Sequence, residues 1–215
     1  MTSASSRPTG TPRWAWGVLL GVYLALAFTY SVIQPLGRCP DELAHVQYVQ
    51  FLANEGRLPY WQAHGGGEAG YEAQHPPLYY AVMAVVYKAA TPLEERWRWH
   101  VLRWATILLL GLPMFAICRR FFEEVLNRAP RLAFAATASV MLMPLVQLYT
   151  CHTNPDGLAM VWMTLTLYLS WRAATHRLAA DSSIAWPEGV WLGAVAGLAA
   201  LTKLSAAPAL VVALG

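Results

Sequence analysis

Hydrophobic positions along this chain gather into runs instead of alternating with polar ones. Apolar runs extend from Trp14 to Ile33, from about Val101 to Cys118, from Leu132 to Thr150, from Leu158 to Trp171, and from about Val190 onward. Each approaches the roughly 20 residues needed to cross a hydrocarbon core of about 30 Å, so the pattern predicts an all-α, polytopic transmembrane helical protein. Tryptophans 14, 97, 99, 104, 171, 186 and 191 lie near the run ends, where amphipathic rings favour the headgroup level. Pro76 to Ala90 is also apolar, but as a helix it reaches only about 22 Å. It is expected to be a re-entrant or interfacial helix, with a tilted span as the alternative. Between Asp41 and Asn54, Leu43, Val46, Val49 and Leu52, with Phe51, recur at helical spacing against Gln47, Gln50 and Asn54. Pro40 and an acid suit the start of a helix there, and Gly56 and Pro59 its end. This predicts an amphipathic interfacial helix within a long outer loop.

Composition points to the same solvent. Of 215 residues, 57% are hydrophobic and 13% charged, about half the charge of an ordinary soluble domain. A net charge of +3 is too small to imply nucleic acid as a partner, and the basic residues serve to orient the helices. Arg7 and Arg13 precede the first run, Arg119, Arg120, Arg128 and Arg131 fill the connector after the second long one, and Arg172 and Arg177 follow the fourth. If these connectors are cytoplasmic, residues 34–98 and the short loop from Asn154 to Asp156 lie outside. The first run lacks a small-residue cleavage site close behind it and reads as an anchor, not a removed signal. Residues 1–13, rich in Ser, Thr and Pro, read as a disordered cytoplasmic tail, and 14–215 as one transmembrane module with 34–98 as its outer catalytic segment. Cys39, Cys118 and Cys151 have neither zinc nor redox spacing; a bond between Cys39 and Cys151 is conceivable, but nothing in the spacing requires it.

Candidate chemistry is concentrated in the outer segment. Asp41, Glu42 and His45 open the predicted surface helix, with Asp41 and His45 on one face; the plain structural reading is that acids favour a helix N-terminus. Tyr71-Glu72-Ala73-Gln74-His75-Pro76-Pro77-Leu78-Tyr79-Tyr80 forms a polar knot before the short apolar helix, and His75 is either an interfacial hydrogen-bonding residue or a contact for phosphate or metal. Arg103, Asp156 and Lys203 are charges set in or beside apolar runs, where a charge costs a few kcal/mol and usually faces a cavity. Against that stand snorkelling for the two cations and helix capping for Asp156.

In this order the features resemble the GT-C glycosyltransferases, particularly the protein O-mannosyltransferases and the bacterial lipid A aminoarabinose transferases. The likeness rests on Asp41-Glu42, His75-Pro76-Pro77-Leu78, Leu102-Arg103, Asn154 to Asp156, and Gly197-Leu198-Ala199-Ala200-Leu201-Thr202-Lys203, spread over most of the chain. It implies a glycosyltransferase that moves a sugar from a polyprenyl-phosphate-linked donor to a lipid, glycan or protein acceptor. The active site would lie at the outer face of a bacterial inner membrane. By the same resemblance Asp41 is the base, Glu42 and Asp156 position acceptor or metal, Asn154 and Asp156, opening a helix, contact substrate, Arg103 binds the lipid phosphate, Lys203 supports it, and His75 shapes the donor entrance. No cofactor follows with certainty; a divalent cation, Mg or Mn, shared by Asp41, Glu42 and Asp156 stays open. Two departures are Pro155 before the second acid and the chain's end within an apolar run, which reads as an amino-terminal fragment of a longer protein. The alternatives are a secondary transporter using Asp156, Arg103 and Lys203, and a metal-dependent membrane hydrolase using Asp41, His45, Glu72 and His75, which lacks the H-E-x-x-H spacing.

Overall fold

A computed structural model describes residues 10–62, 67–180 and 186–207. The described residues are helical apart from turns and one isolated β-bridge, Trp61 to Gly67. Nine α-helices follow one another among them: α1 (Arg13–Ile33), α2 (Glu42–Glu55), α3 (Leu78–Ala89), α4 (Glu95–Thr106), α5 (Leu112–Val125), α6 (Pro130–Met141), α7 (Pro144–Cys151), α8 (Asp156–Ala180) and α9 (Trp186–Thr202). A single π-turn, Ile107–Gly111, joins α4 to α5 as one continuous helix from Glu95 to Val125.

By length and composition, α1 and the helix Glu95–Val125 are long enough and apolar enough to cross a membrane, and α6 with α7 makes a third span if that bent pair is one. Proline accounts for the bend. Pro144 takes the first turn of α7, where its missing N–H costs nothing, but it cannot continue α6, and the axes diverge by 54°. The uninterrupted run expected from Leu132 to Thr150 is therefore broken. α8 coincides with the fourth expected run but is diluted by threonines, Ser170 and Arg172, and α9 is 17 residues long, so neither meets the same test. α9 ends before Lys203, which is extended at φ −156°. Lys203 therefore follows the helix instead of interrupting it, and the part of the last run from residue 208 on lies outside the described residues. So does most of the expected tail, residues 1–9, whereas Arg13 belongs to α1.

The contacts sort the helices' ends into two sets. At one end Thr11 donates to the Pro130 carbonyl, Arg119 lies over the Trp16 ring, and Glu124 meets Tyr168 and Arg172. At the other, the C-terminus of α1 meets Arg103, Glu42 meets the Thr153 amide, and Lys203 meets Asp156. α3 stays beside the first turns of the long helix. Tyr79 bonds Thr106 and Tyr87 bonds Glu95, so α3 climbs as α4 descends and, at 12 residues, rises only about 18 Å. The buried face of α2, His45, Val46, Val49 and Ala53, packs on α3, while Leu43, expected on the apolar face, is exposed.

Candidate active site

The end of α1 explains what lies at the centre of this cluster. A helix leaves its last carbonyls without partners, and Pro35 stops α1 from supplying any by continuing. Arg103, reaching across from α4, fills the gap. Its Nη1 donates to the Ser31 and Gln34 carbonyls at 2.6 and 2.7 Å and its Nη2 to that of Pro35 at 3.1 Å. The remaining two donors form a fork on Glu42, Nε to Oε1 at 2.7 Å and Nη2 to Oε2 at 2.6 Å. A guanidinium has five N–H donors, and all five are used.

Glu42 is filled in the same way. Besides Arg103 it accepts the Gly37 amide at 3.0 Å and the Thr153 amide at 3.3 Å, two bonds at each oxygen, and both side chains of the pair are fully buried. Burial opposes ionisation of Glu42, but the hydrogen bonds and charge of Arg103, with the two amides, outweigh it and hold the carboxyl below its ordinary range. Asn154 completes the frame. Its amide nitrogen donates to the Tyr149 and His152 carbonyls, and its oxygen accepts the amides of Asp156 and Gly157. The cap of α8 is thus Asn154, and Asp156 is released from capping.

In this arrangement the hydrogen bonds within the protein occupy all three residues. Arg103 has no N–H left for a lipid phosphate. Asn154 has no group left for substrate. Each Glu42 oxygen already accepts two hydrogen bonds within the protein.

The groups with spare capacity surround this frame. Asp41 precedes α2 in the left-handed region at φ 55°, a conformation aspartate tolerates better than most residues. Its side chain is exposed and not part of the buried helix face that carries His45, and it accepts a short hydrogen bond from the Tyr71 hydroxyl. That carboxylate, followed by burial, pushes the Tyr71 phenol up to about 12. His45 lies 2.9 Å from the Tyr80 hydroxyl and 3.7 Å from Glu72. Burial, only partly offset by Glu72, lowers its pKa to about 4 and keeps it neutral. His75 Nε2 is 2.6 Å from the buried Glu72 Oε2, yet out of line, leaving that oxygen without a hydrogen bond. Lys203 spends one of its three donors on Asp156 at 2.6 Å. It lies, with Asp41, within the electrostatic surroundings of His45, while Asp156 lies within those of Tyr80, so the cluster is one neighbourhood. Sequence reading placed Tyr71 and Tyr80 in the polar knot but gave neither a role. The only signal for Tyr71 was its place beside an acid after a glycine, and for Tyr80 its place one turn into a proline-initiated helix.

Comparison of this chain with protein-family models, with curated proteins and with solved structures finds no match.

Proposed function

We propose that this chain is a multi-pass membrane glycosyltransferase that uses a polyprenyl-phosphate sugar. The observation that carries the reading is the sorting of the cluster. A saturated, buried frame of Arg103, Glu42 and Asn154 holds together an exposed carboxylate, Asp41, and a cation with donors to spare, Lys203. Glycosyl transfer needs those two groups. The acceptor hydroxyl oxygen attacks the anomeric carbon, the bond from that carbon to the phosphate oxygen breaks, and its electron pair leaves with the phosphate. Asp41 takes the hydroxyl proton as the new bond forms, worth about 10²–10⁴-fold, and Tyr71, bonded to one carboxylate oxygen, leaves the other to face the acceptor. Lys203 stabilises the leaving phosphate, a role the resemblance gave first to Arg103. The arginines Arg119, Arg120, Arg128 and Arg131 belong to the opposite ends of the helices, and the positive-inside tendency supports an outer face for the cluster.

The test is transfer of labelled sugar from a panel of polyprenyl-phosphate donors by membranes containing the protein. Asp41→Asn is expected to lower transfer by about 100-fold or more. Asp41→Gly relieves the left-handed backbone and should lose activity without loss of stability, which separates catalysis from folding. Full transfer by Asp41→Asn would sink the proposal. The partly buried Lys203–Asp156 pair also favours a second reading, a transporter with an ion pair on its substrate path. Substrate uptake into vesicles, lost in Asp156→Asn but kept in Asp41→Asn, would favour that reading.

A further inference from the structure

At the helix ends opposite the cluster, α1, α5, α6 and the connector before α6 bring together Arg13, Arg119, Arg120, Arg128 and Arg131 against Glu123 and Glu124. The three helices meet on Trp16, whose ring stands edge-on to Phe115 and Phe134 with centroids 6.3 and 5.1 Å away. Beside that junction α5 lines a cavity of about 530 Å³ with Phe115, Ala116, Arg119, Arg120, Glu123 and Glu124. Its wall is graded in polarity. Phe115 and Ala116 lie one turn, about 6 Å, deeper along α5 than Arg119 and Arg120, so an apolar floor sits under a charged mouth.

Both carboxylates at the mouth are already engaged. Glu123 accepts Arg119 Nε at 3.1 Å, and Glu124 accepts the Tyr168 hydroxyl at 2.6 Å and lies 3.7 Å from Arg172. Among the described residues the arginines paired at this end are Arg119 and Arg172, while Arg13, Arg120, Arg128 and Arg131 are exposed and keep their donors. Trp14 and Leu132, beside Arg13 and Arg131, are exposed as well, 71% and 55%. Guanidinium next to exposed aromatic and apolar groups is the composition of a surface at headgroup level.

We infer that this cavity binds the headgroup of an anionic phospholipid, its phosphodiester at Arg120 and its acyl chains passing over Phe115 and Ala116 along α5. Arg13, Arg128 and Arg131 supply the surrounding positive field. The guanidinium fork matches phosphate oxygens, and basic pockets at the ends of membrane helices recognise such headgroups. A zwitterionic lipid would bring its own ammonium to this surface and be repelled. At roughly 30 Å³ per water-sized group the cavity holds on the order of eighteen non-hydrogen atoms, and a phosphodiester between two glycerols has about fifteen. The inference stands apart from the reaction proposed for the other end of the helices.

The full chain, purified in detergent, is titrated by native mass spectrometry with dioleoyl phosphatidylglycerol, dioleoyl phosphatidylcholine and glycerol 1-phosphate. Phosphatidylglycerol should bind about tenfold or more tightly than either of the others. Arg120→Gln should weaken it about fivefold, the worth of one arginine near an anionic surface, and leave phosphatidylcholine unchanged. Ala116→Trp, which fills the apolar floor, should weaken it at least as much, whereas Arg57→Gln, removing an exposed arginine beyond α2, should bind as the parent does. Equal binding of the two lipids, or unchanged phosphatidylglycerol binding in either Arg120→Gln or Ala116→Trp, overturns the site. So does an equal loss in Arg57→Gln, which would trace the preference to net charge. Glycerol 1-phosphate binding as tightly as phosphatidylglycerol would put a soluble phosphate ester in place of the lipid and overturn it too.

Discussion

Arg103 and Glu42 show how completely the hydrogen-bond count of a side chain restricts its role. Taking two charges out of water costs several kcal/mol each, returned only when geometry and hydrogen bonds are nearly complete, and here they are complete. Glu42→Gln or Arg103→Met should each destabilise the protein by about 3–5 kcal/mol, because each leaves a buried charge unpaired. The double variant should cost clearly less than the sum, measured by thermal unfolding in detergent; strict additivity would mean the pair is not coupled. His45 makes a separate prediction about pH. Its folded pKa of about 4 lies below the ordinary 6.5, so the unfolded chain binds the extra proton first. The stability that neutral His45 contributes is fully present above pH 6.5 and is lost as pH falls toward 4, on the order of 3 kcal/mol. Glu42, also depressed, contributes above its ordinary value of 4.5 and loses that contribution only below it, as pH falls through its lower folded pKa. His45→Gln should therefore flatten stability between pH 6.5 and 4.5 while leaving the steeper acid loss in place.

At the scale of elements, the π-turn at Ile107–Gly111 marks where four helices cross. Tyr23 of α1 reaches in to bond Thr150 of α7 at 2.9 Å, and a Cβ added at Gly111 would overlap the Tyr23 hydroxyl and ring. Gly157, in the first turn of α8, is held as tightly by the Tyr149 carbonyl and a methyl of Leu110. Helix propensity alone favours alanine over glycine by about 1 kcal/mol. Packing reverses the sign, and Gly111→Ala should destabilise by roughly 1–3 kcal/mol; a gain in melting temperature would show that the crossing is looser than described. α2 was legible as a helix from its spacing and its glycine stop, and Gly56 takes a left-handed conformation, φ 66°, at its end. Its orientation was not legible, because the buried positions Glu42, His45 and Val46 interleave polar and apolar residues, so hydrophobicity alone could not say which face α3 would cover.

For the whole molecule, the question is which end faces which side of a membrane. With the native cysteines replaced, a single cysteine at exposed Leu43 and another at exposed Arg128 would lie on opposite sides. The expected outcome in intact cells is labelling by an impermeant thiol reagent at position 43 and protection at 128. Labelling at 128 with protection at 43 would place the cluster in the cytoplasm and end the outer-face reading. The short rise of α3 favours the expected result, since a full crossing there would invert every later helix.

Apolar runs, arginine-rich connectors and prolines were sufficient by themselves to mark the described residues as helical, the extent of the first long helix, and α3 as a short apolar helix, because these depend on local period and on the solubility of charge; the second long helix, Glu95–Val125, runs well beyond the apolar run that marked it. The sequence also singled out Asp41, Glu42, His75, Arg103, Asn154, Asp156 and Lys203 as unusual polar positions. Only the tertiary structure divided them into a saturated frame and a group with spare hydrogen-bonding capacity. Arg103 takes its partners from residues 31–42 and Glu42 one of its own from Thr153. Which donors remain free is decided by those distant contacts, and no local pattern of side chains encodes them.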